Sequence, residues 1–111
     1  MAGKIKAGEI LIYQTESGDT KVDVFFENGT VWMTQKQIAL LYGRAPNTIS
    51  GHINGIYFDK ELMMESTCRK YRLVQEEGKR IIERDTLMYN LDMILAIGYR
   101  VLIGSLVYVY I

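Results

Sequence analysis

Cysteine is almost missing from this sequence. Cys68 stands alone, so no intramolecular disulfide can form, and a reducing, cytoplasmic setting is expected. Cys68 is read as an inert small residue rather than a reactive thiol. Net charge is missing too. Thirteen Lys and Arg cancel thirteen Asp and Glu, so the chain as a whole does not attract nucleic acid, and any contact with DNA must come from a local patch. His52 is the only histidine. One His and one Cys with no second pair make a poor metal site. No phosphate-binding glycine loop occurs, because Gly51 and Gly55 stand alone. Asp59, Glu61 and Glu65 lie at near-helical spacing and are read as a solvated face rather than as catalytic carboxylates. No catalytic residue, metal ligand, cofactor or small-molecule substrate is therefore expected, and the chain is not read as an enzyme. A secretory signal is missing as well, since Lys4 and Lys6 are followed by no apolar run of the required length. Residues 93–111 form the one long apolar stretch. Arg100 in its middle, with Gly98 and Gly104, argues against a membrane span, which needs ~20 apolar residues.

What is present suits one α+β domain over residues 1–111. Apolar residues make up 49% of the chain, enough for a core, though a modest one that a homodimer partner would help to complete. Residues 9–32 read as a small antiparallel β-meander. Glu9 to Thr15, centred on Ile10 to Tyr13, form its first strand, and residues 16–19 have turn composition. Val22, Val24 and Phe26 alternate with Lys21, Asp23 and Phe25, and Asn28-Gly29 is a tight-turn dipeptide. Residues 59–65 read as a short helix. A β-hairpin plus a helix is expected over 71–101, with strands at 71–74 and 80–83. Asn90 would cap a helix that Gly98 ends. Residues 102–111 are an atypical apolar tail, suited to a sheet edge or to association. Met33, Met63, Met64, Met88 and Met93 are read as core filler.

Residues 34–57 carry the functional signal. Thr34 and Gln37 have capping-box spacing. Ile38, Leu41 and Tyr42 recur at helical intervals, Gly43 ends that helix, and Pro46 suits the first turn of the next. Two helices crossing steeply need a small residue where they meet, a residue tolerant of positive φ in the turn, and an apolar residue facing back. Ala39, Gly43 and Ile49 fill those three positions at the offsets of a DNA-binding helix-turn-helix. His52 departs from the pattern, since an apolar residue is usual there. Residues 28–58 contain no Asp or Glu, yet hold Lys36, Arg44 and His52. That is a local basic zone, as a phosphate backbone requires. Gln35, Lys36 and Arg44 are assigned to phosphates, and Asn47, Thr48, Ser50 and Asn54 to base edges or nearby backbone of double-stranded DNA.

Several motifs resemble one family. Val31 to Gln35, Asn47 to Ile53 and Ile56-Tyr57-Phe58 are similar to the N-terminal region of the RhuM family of bacterial virulence-associated proteins. So are Ile12 to Thr15, Glu61-Leu62, Tyr89 to Asp92 and Ile97 to Val101. The resemblance covers about residues 10 to 101. It implies a DNA-binding type of N-terminal domain linked to mobile or pathogenicity-associated DNA, and it supplies no reaction. From Leu102 the tail departs from the family, as a frameshifted or truncated end would. Two functions are open: a DNA-binding regulator or targeting domain, and a protein-interaction module of a toxin–antitoxin-like system.

Overall fold

The computed structural model describes residues 9–14 and 21–110. Three N-terminal strands form the expected meander: β1 (Glu9–Gln14), β2 (Lys21–Glu27) and β3 (Thr30–Thr34). The turn expected at residues 16–19 lies outside the described residues. Asn28 and Gly29 both take positive φ, 55° and 75°, which a two-residue hairpin turn of matching twist demands. Two more strands follow later in the chain, β4 (Cys68–Glu77) and β5 (Arg80–Asn90). They turn around Gly78 at φ 63°. These strands are much longer than the short hairpin expected, because most of their length is polar and carries no clear alternation. The two pieces do not stay apart. β5 pairs with β3 through Trp32↔Asn90, Met33↔Tyr89 and Thr34↔Met88, giving one antiparallel sheet of order β1-β2-β3-β5-β4.

Among the described residues, four helices complete the fold: α1 (Gln35–Tyr42), α2 (Pro46–Phe58), α3 (Met64–Thr67) and α4 (Leu91–Tyr110). Helices pack on the sheet face that carries Val24, Val31, Met33 and Tyr89. Met33, Tyr89, Ile38, Ala39, Ile49, Ile53, Ile56, Met93, Ile94 and Ile97 make one buried cluster. Each large aliphatic side chain there contributes roughly 1.5–3 kcal/mol. The strand period sends Trp32 and Phe25 to the opposite face. Trp32 is nonetheless buried. Its ring Nε1 donates to the Glu27 carbonyl at 3.0 Å, and the Arg69 guanidinium lies 5.0 Å from its ring centre. Tyr71 packs beside it and edge-on to Phe25.

Several sequence expectations need correction. Residues 59–65 are not a helix. Asp59 caps α2, and Lys60 takes a left-handed φ of 58°, which stops helix propagation. The short α3 begins only at Met64. Met63 and Met64 are exposed rather than core, whereas Met33, Met88 and Met93 are buried. Asn90 does cap α4, accepting from the Met93 N–H at 3.2 Å. Gly98, however, does not end that helix. α4 continues to Tyr110, so residues 102–110 extend a helix and add no strand. Gly98 is not among the positive-φ residues. Its role is close approach. The Tyr42 hydroxyl donates to the Ile94 carbonyl at 2.6 Å, and a Cβ on Gly98 would lie 2.5 Å from that hydroxyl oxygen and 2.9 Å from the ring carbon bearing it.

This close approach makes a testable contrast. Gly→Ala within a helix normally stabilises by roughly 0.8–1 kcal/mol. Gly98→Ala should instead lower stability by about 1–2 kcal/mol, because the overpacking outweighs the propensity gain. Gly104→Ala, where a Cβ meets nothing within 4 Å, should be neutral or stabilising. Urea denaturation of both variants checks the pair. Equal stabilisation by both would mean that Tyr42 does not pack on Gly98.

Candidate nucleic-acid interface

The turn between α1 and α2 is built from local rules. Thr34 and Gln37 form the expected capping box. The Gln37 N–H donates to the Thr34 hydroxyl at 3.1 Å, and the Thr34 N–H donates to the Gln37 side-chain oxygen at 2.8 Å. At the other end Gly43 adopts φ 63° and ψ 39°. The Arg44 N–H reaches the Ala39 carbonyl at 3.0 Å and the Gly43 N–H reaches Leu40 at 3.3 Å, the paired bonds of a Schellman ending. Pro46 then starts α2, whose N-cap Ala45 provides no side-chain cap. The Thr48 and Ile49 N–H groups bond back to Ala45. Proline has no N–H, so within that first turn only the Asn47 N–H is left for an external acceptor.

The residues assigned to DNA fall into two groups. Lys36, Arg44, Asn47, Thr48 and Asn54 are exposed, while Gln35 and Ser50 are half-buried. Asn47, Gly51, Asn54 and Phe58 follow helical spacing along the outer side of α2, opposite the buried Ile49, Ile53 and Ile56. A Cβ on Gly51 would meet nothing within 4 Å. Gln35 is also engaged within the fold. Its side-chain amide donates to the Pro46 carbonyl at 2.8 Å and so ties the start of α1 to the start of α2. Arg44 folds back over the turn, with Nη1 donating to the Tyr42 and Gly43 carbonyls at 3.3 and 3.4 Å.

Lys36 lies between two shallow grooves. One also borders Ala39, Leu40, Gly43, Arg44 and Pro46. The other runs from Thr34, Gln35 and Gln37 to Leu73, Arg84, Asp85 and Thr86 on the β4–β5 ribbon. Sequence reasoning missed this second side of Lys36. Arg84 is far from Lys36 in the chain, and only the β3–β5 pairing brings it near.

The C-terminal end of α2 is held differently. Arg100 on α4 pairs with Asp59 at 3.0 Å and with Glu61 at 2.5 Å. Asp59 and Glu61 are therefore partners of a cation rather than merely solvated, and Glu65 takes no part. A Cβ on Gly55 would sit 2.8 Å from Arg100 Nη1, so glycine there lets the guanidinium cross α2. His52, Glu61, Tyr99, Arg100 and Ile103 surround an open pocket beside this crossing. Partial burial, and then the Arg100 charge, hold the His52 imidazole below its ordinary pKa. Burial raises the Cys68 thiol and pushes the Tyr89 hydroxyl up to about 12, which keeps both protonated near neutral pH. No group of three or more His, Cys, Asp or Glu that could hold a metal occurs among the described residues. No helix among them is long and apolar enough to cross a membrane.

A pKa lowered on folding has a definite sign. The unfolded chain takes up the His52 proton first, so stability is lost as pH falls below the unfolded value of about 6.5. The loss levels off once the folded imidazole is protonated as well. His52→Asn should flatten the urea midpoint between pH 7.5 and 5.5 relative to the parent. An unchanged pH slope would remove His52 as its source.

Comparison with known proteins reaches only part of this architecture. Residues 66–105 match the model of the Virulence protein RhuM family. The match takes in the end of α3, the β4–β5 ribbon and most of α4. It runs past Val101, where the chain was expected to leave the family, and it does not extend over α1 and α2, which the motif resemblance had included. No curated protein matches, and no solved structure matches. Over roughly the third of the chain that forms the ribbon and its following helix, this protein is similar to the RhuM virulence protein family.

Proposed function

We propose that α1, its turn and α2 are a helix-turn-helix that binds duplex DNA, as a regulator or as the targeting part of a larger system. One observation carries the reading. α2 is clamped on one side by Ile49, Ile53 and Ile56 and presents Asn47, Thr48 and Asn54 to solvent on the other, within a segment that contains no carboxylate from residue 28 to 58. Asn47, Thr48, Ser50 and Asn54 contact base edges or the adjoining backbone. An Asn side chain can pair with adenine in the major groove. Lys36 and Arg44 neutralise phosphates. Gln35 positions α2 through the Pro46 carbonyl rather than acting as an open phosphate ligand. The similarity to a virulence family favours a target in virulence-associated or mobile DNA, and the lone free thiol fits a cytoplasmic setting.

A homodimer suits this function, because two copies read two half-sites. α4 offers a surface for it. Leu91, Leu95, Tyr99 and Leu102 are exposed at intervals that place them along one side of the helix. Leu95→Glu should give a monomer in light scattering without loss of helix. A parent that is already monomeric at micromolar concentration counts against the dimer.

Fluorescence anisotropy with labelled duplexes tests the DNA reading. Lys36→Ala with Arg44→Ala should weaken binding uniformly across sequences and shrink the salt slope by roughly 0.9 for each phosphate no longer neutralised. Asn47→Ala should change sequence preference, by about 1–3 kcal/mol at one base pair. If the parent binds no duplex at low salt and copurifies with a protein instead, the interaction-module reading replaces this one.

A further inference from the structure

The β4–β5 ribbon has a form that the fold itself does not require. β3 pairs only with Met88, Tyr89 and Asn90 of β5. Among the described residues, Arg80 to Leu87 have no strand on that side, and the ribbon runs on as two strands alone. Its charges are sorted by face. Side chains alternate along a strand, and directly paired residues share a face. One face carries Arg72 and Lys70 against Glu76, Glu83 and Asp85, with Arg72 bridging Glu83 at 3.6 Å and Asp85 at 3.5 Å. The other carries Arg69, Arg80 and Arg84 against Glu77 alone. The second face continues the Trp32 side of the sheet, and both faces meet at the open edge of β5, where Arg84, Asp85, Thr86 and Leu87 line the groove that ends at Lys36. Arg84, Lys36 and Arg44 thus lie in sequence along two adjoining grooves, with only Asp85 among them as a carboxylate.

We propose that this ribbon is a second DNA-contacting arm, which lays the open edge of β5, with Lys79, Arg80 and Arg84, along the phosphate backbone beside the groove entered by α2. The inference rests on the DNA reading of α2 and extends it to a separate element. Arg80 lies four residues from Arg84, about 13 Å further out at strand spacing, with Lys79 at the turn. Neither Lys79 nor Arg80 is in an ion pair among the described residues. Arg84 is held by Glu77 at 2.9 Å, but both side chains are about half exposed. An exposed pair of this kind is weak, so a phosphate can take the guanidinium from the carboxylate. On the other face Arg72 pairs with Glu83 and Asp85, which offsets the charge of the one carboxylate that borders the groove.

The experiment is anisotropy on the full chain with a fluorescent duplex over a series of salt concentrations. Lys79→Ala, Arg80→Ala and Arg84→Ala together should lower affinity tenfold or more. They should also reduce the slope of log affinity against log salt by about 2–3, close to 0.9 for each phosphate left without its cation. Glu77→Gln should act in the opposite direction, since it frees Arg84 and removes the one carboxylate on its face. A thermal midpoint for each variant establishes that it is folded. If the triple variant binds like the parent while Lys36→Ala with Arg44→Ala weakens binding, the arm is refuted and the helix-turn-helix stands. Weaker binding by folded Glu77→Gln also counts against the arm. If the parent binds no duplex, both readings fall together.

Discussion

Three residue pairs between β3 and β5 hold the architecture together. Trp32↔Asn90, Met33↔Tyr89 and Thr34↔Met88 join the N-terminal meander to the long ribbon. The seam also launches two helices. Thr34 ends β3 and caps α1, while Asn90 ends β5 and caps α4. Because the strands are antiparallel, the two caps sit at opposite ends of the seam. α1 and α4 therefore leave the sheet from opposite ends and meet where Tyr42 bonds the Ile94 carbonyl above Gly98. The Leu91 N–H adds a bond to the Thr30 hydroxyl at 3.3 Å. A strand junction of three pairs thus sets where each helix begins and what it must pack against.

α2 has no strand of its own to anchor it, so it depends on its neighbours. Its N-terminal end is fixed by the Schellman turn at Gly43 and by Gln35 bonding the Pro46 carbonyl. Its C-terminal end lies under Arg100, with Asp59 and Glu61 drawn to the same guanidinium. Between these, Ile49 and Ile56 are fully buried and Ile53 nearly so. A helix held at both ends and along one side can place its outer side chains with little reorganisation, which is what a reading helix needs.

Much of this was legible in the residues, and for identifiable reasons. Asn28-Gly29, Thr34 with Gln37, Gly43, Pro46 and Asn90 are all local signals whose outcome is decided within a few residues. The helix pair and the burial of Ala39 and Ile49 followed from their spacing. Nonlocal facts were hidden. Nothing near Gly98 reveals that Tyr42 will press on it, so its glycine looked like a helix end. Nothing near Asp59 shows that Arg100 will arrive. The ribbon looked short because Arg72, Glu83, Arg84 and Asp85 have no apolar period, although backbone pairing holds them in register. At the site, the exposed residues of α2 were readable from periodicity. The commitment of Gln35 to Pro46 and the approach of Arg84 to Lys36 were not, because both require the tertiary fold.

Charge shows why a composition total is a poor guide to a binding surface. The chain is neutral, and neutrality would discourage any nucleic-acid reading if the charges were mixed evenly. They are sorted at three levels. Along the chain, residues 28–58 exclude every carboxylate. Across the ribbon, strand alternation puts most acids on one face and most arginines on the other. Between elements, Arg100 draws Asp59 and Glu61 to the C-terminal end of α2, away from Asn47 and Lys36. Screening limits the reach of each charge to about 8–10 Å in ordinary salt. A phosphate near Lys36 therefore responds to Arg44, Arg84 and Asp85, which border the same grooves, and hardly to Asp59 and Glu61 at the far end of α2, and a neutral chain can still present a cationic surface.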